Sequence, residues 1–286
     1  SDGPNEINWD VDRETFKRLL NAVFGTAQEY LWPRNLKFEP FAIYQLEIQY
    51  TGAKGVEAPA RNFGHDVDAM LAAITPRTRM VFIANPNNPT GTLIPAPELH
   101  EFLGKVPRNV MVLLDEAYNE YIPQDLKNDS LAWLNEFPNL ILTRTFSKAY
   151  GLAGLRVGYA FAHPDVADIM NRVRQPFNVN SISLAAAAAA LDDHDFVRKS
   201  YELNLAGVEQ LTAGLKALGL AIMSSHGNFV TFKVGDAKAV NLALLRAGVI
   251  VRPIAGYGLP DWLRVTVGLE SENARFLASL KSAIGA

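Results

Sequence analysis

The chain has 286 residues, 49% hydrophobic and 20% charged, with 27 Lys and Arg against 30 Asp and Glu for a net charge of −3. That length suits one or two domains with a sizeable core, and the ordinary composition excludes a disordered or fibrous chain. The charge balance excludes a chain-wide electrostatic grip on nucleic acid or an anionic membrane, and the lack of Cys excludes disulfides, thiolate metal sites and cysteine nucleophiles.

Residues 1–10 are polar and acidic, unlike a signal peptide. No apolar run approaches the ~20 residues of a membrane span, so a cytoplasmic location is expected. In the middle of the chain, apolar runs alternate with helical patterns. Residues 80–84 end in an Asn/Pro/Gly cluster, residues 110–114 end in Asp115-Glu116, and residues 140–142 end in Thr143-Arg144-Thr145. Such runs, apolar throughout and bounded by turn signals, predict strands buried on both faces. Residues 96–103, with Pro97 near the start, and residues 131–137 predict helices between them. The alternation implies a parallel sheet with right-handed crossovers, in which ligands sit at the carboxyl ends of the strands. All three polar clusters lie at that end.

From about Ser183 the texture changes. A long helical stretch runs through the six alanines at 185–190 and on through 197–218. Alternating segments follow at 228–232 and 263–267, then a closing helix over 271–284. The expected fold class is α/β, a mainly parallel sheet with flanking helices in a large domain (22–182), plus a smaller α+β domain (183–286, with 1–21).

Taken singly, each cluster has a plain structural reading. Asn85-Pro86-Asn87-Asn88-Pro89-Thr90-Gly91 builds a turn for backbone reasons. Asp115 is equally a helix cap, though a carboxylate closing an apolar strand is costly to bury without a partner. Lys148 on its own reads as a solvated strand end, the commoner fate of a lone lysine. Together they place an amine (Lys148), a carboxylate (Asp115) and phosphate-type donors (Thr145, Ser147, Arg156) on one edge of one sheet. Pyridoxal 5'-phosphate needs that set: an amine for its aldehyde, an anion for its ring nitrogen and donors for its phosphate. The five His are scattered, with no metal spacing, and no P-loop, Gly-x-Gly-x-x-Gly or His-Glu-x-x-His occurs. No metal is expected, and His65, just before the predicted N-cap residue Asp66, reads as structural.

The stretches 84–91, 115–118 and 145–148, with Arg156, resemble the fold-type I aminotransferases. With 64–66, 174–180, 248–253 and 263–268, the wider match is similar to the histidinol-phosphate aminotransferase group. The resemblance implies roles. Lys148 bonds the cofactor aldehyde, Asp115 pairs with the pyridine nitrogen, and Asn88 and Tyr118 bond the ring oxygen, so that Lys148, Asp115 and Tyr118 form the catalytic set. Thr145, Ser147 and Arg156 hold the phosphate. Gly25, Thr26 and Ala27 match a glycine-containing loop at a helix start that cradles it, and Phe41 matches the aromatic that stacks on the ring. Few residues separate these two stretches, where the family has a helix and a strand. Arg264 matches the substrate-carboxylate arginine, its planar fork suiting a carboxylate. Arg252 is a candidate for a distal anion, or a surface ion pair. Asn228 is a candidate substrate contact, or a turn residue.

The implied activity is amino transfer between a small amino acid or amino-phosphate and a 2-oxo acid, with histidinol phosphate and 2-oxoglutarate as the substrates, in a homodimer. A phosphothreonine decarboxylase-like activity and an inactive pyridoxal-phosphate-binding homologue are the alternatives.

Overall fold

The computed structural model describes residues 7–8, 29–34 and 52–285, the first two segments as backbone. The apolar runs of the middle region become adjacent strands of one eight-stranded sheet. Its members are β1 (Ile7–Asn8), β2 (Glu29–Arg34), β3 (Lys54–Arg61), β4 (Gly64–His65), β5 (Thr78–Ala84), β6 (Met111–Asp115), β7 (Leu140–Thr145) and β8 (Gly158–Ala162). They lie in the order β1-β8-β7-β6-β5-β2-β3-β4. The run from β7 across to β3 is parallel, while β8, β1 and β4 pair antiparallel with their neighbours. The connection from β7 to β8 holds only a short 3-10 turn, Ala153–Leu155. With no helical crossover to carry the chain back, β8 returns antiparallel.

Alternate residues of the central strands feed two separate cores, which explains their unbroken apolar character. Val81, Ile83, Val112, Leu114, Leu140 and Leu142 pack with Leu99, Phe102 and Leu103 of the helix Ala96–Lys105. Met80, Phe82 and Ile141 pack on the other face with Met170 of the helix Pro164–Val173. The segment predicted as a helix at 131–137 is a single turn, Ser130–Trp133, capped by the Asp129 side chain.

The helical stretch predicted as continuous from the alanine tract is two helices, Ser181–Asp192 and His194–Ala217. The break falls at Asp193, whose side chain accepts a hydrogen bond from Phe196 N at 3.0 Å and so starts the second helix. Beyond it a three-stranded antiparallel sheet forms from β9 (Phe229–Lys233), β10 (Arg252–Pro253) and β11 (Trp262–Thr266), ordered β10-β11-β9. Val230, Phe232, Leu263 and Val265 bury against Leu211, Leu215, Leu244, Phe276 and Leu280 of its helices. The intervening residues, among them Thr231 and Arg264, occupy the opposite face, because side chains alternate along a strand. That face meets the strand ends of the larger sheet: Thr231 Oγ1 donates to Pro89 O at 2.6 Å, and His226 N to Gly91 O at 2.8 Å.

Candidate active site

Each polar cluster is held by its own local bonds. In the loop after β5, the Asn85 side chain clamps Ile94, accepting from its N–H at 2.7 Å and donating to its carbonyl at 3.2 Å. Asn87 N donates to Thr92 O at 2.8 Å and Gly91 N to Asn87 O at 2.7 Å. Both Asn-Pro bonds, 85–86 and 88–89, are cis. The hydrogen bonds within this loop hold Asn88 at the carboxyl end of the sheet.

Asp115 closes β6 directly opposite Thr143 of β7. It shares a face with Met111 and Leu113, and its Oδ1 accepts from Ala117 N at 3.0 Å. Tyr118 follows as a buried ring in edge contact with Phe229, centroids 5.4 Å apart. After β7, Ser147 N donates to Thr145 Oγ1 at 3.0 Å and Gly151 N to Lys148 O at 3.0 Å. This turn sets Lys148 Nζ 5.4 Å from the Tyr118 ring centroid.

The electrostatics follow from that packing. Burial holds the Lys148 ammonium below the ordinary lysine range, the Arg264 and Arg156 cations add to the effect, and Asp115 partly offsets it. Burial pushes the Tyr118 hydroxyl up to about 12, with Arg264 opposing and Asp115 adding. Arg264, on β11, stacks its guanidinium 4.8 Å from the Phe229 centroid and donates through Nη1 to Asn88 Oδ1. Its Nε is buried with no hydrogen-bond partner. Burial lowers the proton affinity of this guanidinium and the Arg252 cation adds to that, while Tyr118 and Tyr257 oppose.

Lys148, Asp115, Tyr118, Asn88 and Arg264 therefore converge, with Thr145 and Ser147 in the turn that carries the lysine. Arg156 sits in the left-handed region at φ 55° and donates to Ala153 O at 2.9 Å. Arg252 is exposed and lies directly across from Arg264 in the β10–β11 pair. The Asn228 side chain is hydrogen-bonded to Tyr121, and its carbonyl accepts from Val267 N at 2.9 Å. Gly25, Thr26, Ala27 and Phe41 lie outside the described residues. Among the described residues, no cluster of three or more His, Asp or Glu could hold a metal ion. His65 is buried, donates through Nε2 to Ala84 O at 2.8 Å, and is pushed by burial down to about 4, so it stays neutral at pH 7.

Sequence reasoning missed two features here. Phe229, the ring shared by Tyr118 and Arg264, reads only as a strand residue. Arg144 pairs with the buried Glu116 at 2.9 Å on the sheet face opposite Asp115. The signal was present in the adjacency of Asp115 and Glu116, since neighbours on a strand must face opposite ways.

Comparison with known proteins places this geometry. The model of the family "Aminotransferase class I and II" matches residues 40–280. The chain is 62% identical over 244 residues to histidinol-phosphate aminotransferase 1 of Dechloromonas aromatica, covering 85% of this chain and 67% of that protein. It is 60% identical to histidinol-phosphate aminotransferase 2 of Nitrosospira multiformis, covering 85% of this chain and 62% of that one. The chain thus spans about two thirds of the length of the curated relatives it matches. Among solved structures, the histidinol-phosphate aminotransferase of Sinorhizobium meliloti in complex with pyridoxal-5'-phosphate superposes with a TM-score of 0.87 at 26% identity, covering 98% of this chain and 77% of that one. The chain belongs to the class I and II aminotransferases.

Proposed function

We propose that the chain is a pyridoxal-phosphate-dependent transaminase that exchanges an amino group between histidinol phosphate and 2-oxoglutarate. One observation carries the reading: a half-buried amine of lowered proton affinity, Lys148, feels both the Asp115 carboxylate and the Arg264 guanidinium, whose Nε is buried with no partner. The names of the relatives at about 60% identity support the substrate pair.

The residues fit the cofactor. Lys148 supplies the amine for its aldehyde, Asp115 an anion for its ring nitrogen, and Thr145, Ser147 and Arg156 donors for its phosphate. When bound, the cofactor supplies an electron-accepting ring that stabilises the charge left when the substrate loses its α-proton. Asp115 keeps the proton on the ring nitrogen. Lys148, uncharged more readily than an exposed lysine, takes the α-proton and returns it. Asn88 and Tyr118 offer hydrogen bonds to the ring oxygen. Arg264 takes the carboxylate of the amino-acid substrate, an anion that would satisfy its buried Nε. Arg252, across the strand pair, takes the distal anion. Asn228, whose side chain bonds Tyr121, is the remaining candidate for a substrate contact.

We also infer a cytoplasmic homodimer built of two domains per chain, 22–182 and 183–286 with 1–21. Among the described residues no helix is long and apolar enough to cross a membrane. Exposed apolar side chains at Phe177 and Ile182 support the dimer.

Loading the purified chain with pyridoxal phosphate tests the reading. A visible absorption band, an adduct fixed on Lys148 by borohydride, its loss in Lys148→Ala and glutamate-coupled turnover of histidinol phosphate are expected. Carbon dioxide release from phosphothreonine would instead establish the decarboxylase. Cofactor uptake without turnover of either substrate would leave an inactive binding protein. A colourless wild-type chain that fixes no cofactor overturns the proposal.

A further inference from the structure

The tip of the β3–β4 hairpin is more strained than the turn requires. Asn62 and Phe63 both take positive φ, 52° and 65°, as a two-residue loop between Arg61 and Gly64. Asn tolerates that region, and the second position of such a loop favours Gly. A phenylalanine there carries a Cβ penalty that the turn does not need. Nor does its ring join one of the buried clusters, being 36% exposed. Its aromatic contact is with Trp262 of β11, centroids 5.3 Å apart at 59°.

This contact ties the two sheets together beside the site. Trp262 and Arg264 lie on the same face of β11, two residues apart, while Leu263 between them is in the core. The hairpin is anchored in turn to the opposite side of the site. Its His65 donates to Ala84 O, immediately before the loop whose Asn88 accepts from Arg264. β11 is thus held to the larger sheet at two points, Phe63–Trp262 and Asn88–Arg264. Strain kept at a position where a glycine would relieve it points to a use for the side chain.

We propose that Phe63 is a positioning residue: through Trp262 it fixes β11 against the larger sheet and so holds Arg264 where the substrate anion must bind. This rests on the reading of Arg264 as the anion site. In this role Phe63 acts through Trp262 and not by contact with substrate or cofactor.

Phe63→Gly keeps the turn and removes the ring. In the full chain loaded with pyridoxal phosphate, we expect KM for glutamate to rise about 3- to 10-fold, the range that loss of one aromatic pair supplies. kcat should change by less than about twofold, since the loss is of binding rather than of the chemical step. Adduct formation on Lys148 should be unchanged and Tm should stay within about 3 °C. Amide exchange across residues 262–266 should quicken in the chain without cofactor, and Phe63→Tyr should restore both KM and exchange. Unchanged KM and unchanged exchange in Phe63→Gly overturn the proposal. So does a parallel fall in kcat, adduct formation and Tm, which marks a merely structural role. If the wild-type chain fixes no cofactor, the transaminase reading fails by that result, and exchange at 262–266 alone decides whether Phe63 holds β11.

Discussion

Lys148 is surrounded by charges of both signs, and its protonation answers to each of them. Arg264 and Arg156 work with burial to disfavour the ammonium, and Asp115 favours it. Only the uncharged amine attacks a carbonyl, so labelling by an aldehyde followed by borohydride reports its titration. In the chain without cofactor, labelling of Lys148 should rise with pH and level off below the range of the exposed lysines. The signs of the neighbours then follow. Arg264→Gln removes a cation that opposes protonation, so the midpoint should move to higher pH. Asp115→Asn removes the anion that supports it, so the midpoint should move to lower pH. Peptide mapping of the labelled lysine across pH checks both. Movement of the two variants in the same direction would contradict the arrangement.

At the scale of elements, the loop Asn85–Gly91 joins the two sheets through short-range contacts. Gly91 lies at φ 80°, and a Cβ built there would come within 2.7 Å of the Ser225 Cα. Its carbonyl also accepts from His226 N. Gly91→Ala should therefore cost about 2–4 kcal/mol, summing the left-handed penalty and the overlap with backbone. Ser225→Gly in the same chain should recover only part of this, because it clears the side chain and leaves φ unchanged. Urea midpoints of the two variants measure it, and a Gly91→Ala chain as stable as wild type would refute the close approach.

The same loop shows what was legible in the sequence. β5, β6 and β7 were readable from their central runs at 80–84, 111–114 and 140–142, which are apolar throughout because both faces there are buried. Their order along the chain then put Asn88, Asp115 and Lys148 at one end of the sheet. The antiparallel β8 was not readable, since nothing in 158–162 states its direction; the missing crossover helix does. The break at Asp193 hid within a continuous helical pattern, where a capping aspartate looks like any surface acid. Contacts across the fold were least legible. Arg264 and Asn88 are 176 residues apart, and Glu116 has its partner 28 positions on. Phe63 carried a faint signal, an aromatic where a turn prefers glycine.

At the scale of the whole molecule, the apolar surface of the described residues is unevenly distributed. The helix Ser181–Asp192 is apolar nearly all round, yet among its residues only Ser183 and Ala187 are buried. A helix with that composition is ordinarily covered on more than one side. Just before and at its start, Phe177 is 98% and Ile182 76% exposed. Arg156, Asn178 and Ile182 line one open cleft there, so the exposed apolar group borders the proposed phosphate donor. A second copy of the chain covering this face would bury these side chains and shield that edge of the site. Sedimentation velocity should then give twice the 31.4 kDa chain mass for the wild type. Ile182→Glu places a charge in the buried seam and should shift the population to the single-chain mass. Because Arg156 adjoins the seam, cofactor affinity should fall along with dimer content, and both should recover together as protein concentration is raised, by mass action. A wild-type chain that sediments at the single-chain mass, or an Ile182→Glu chain that remains dimeric, would locate the contact elsewhere.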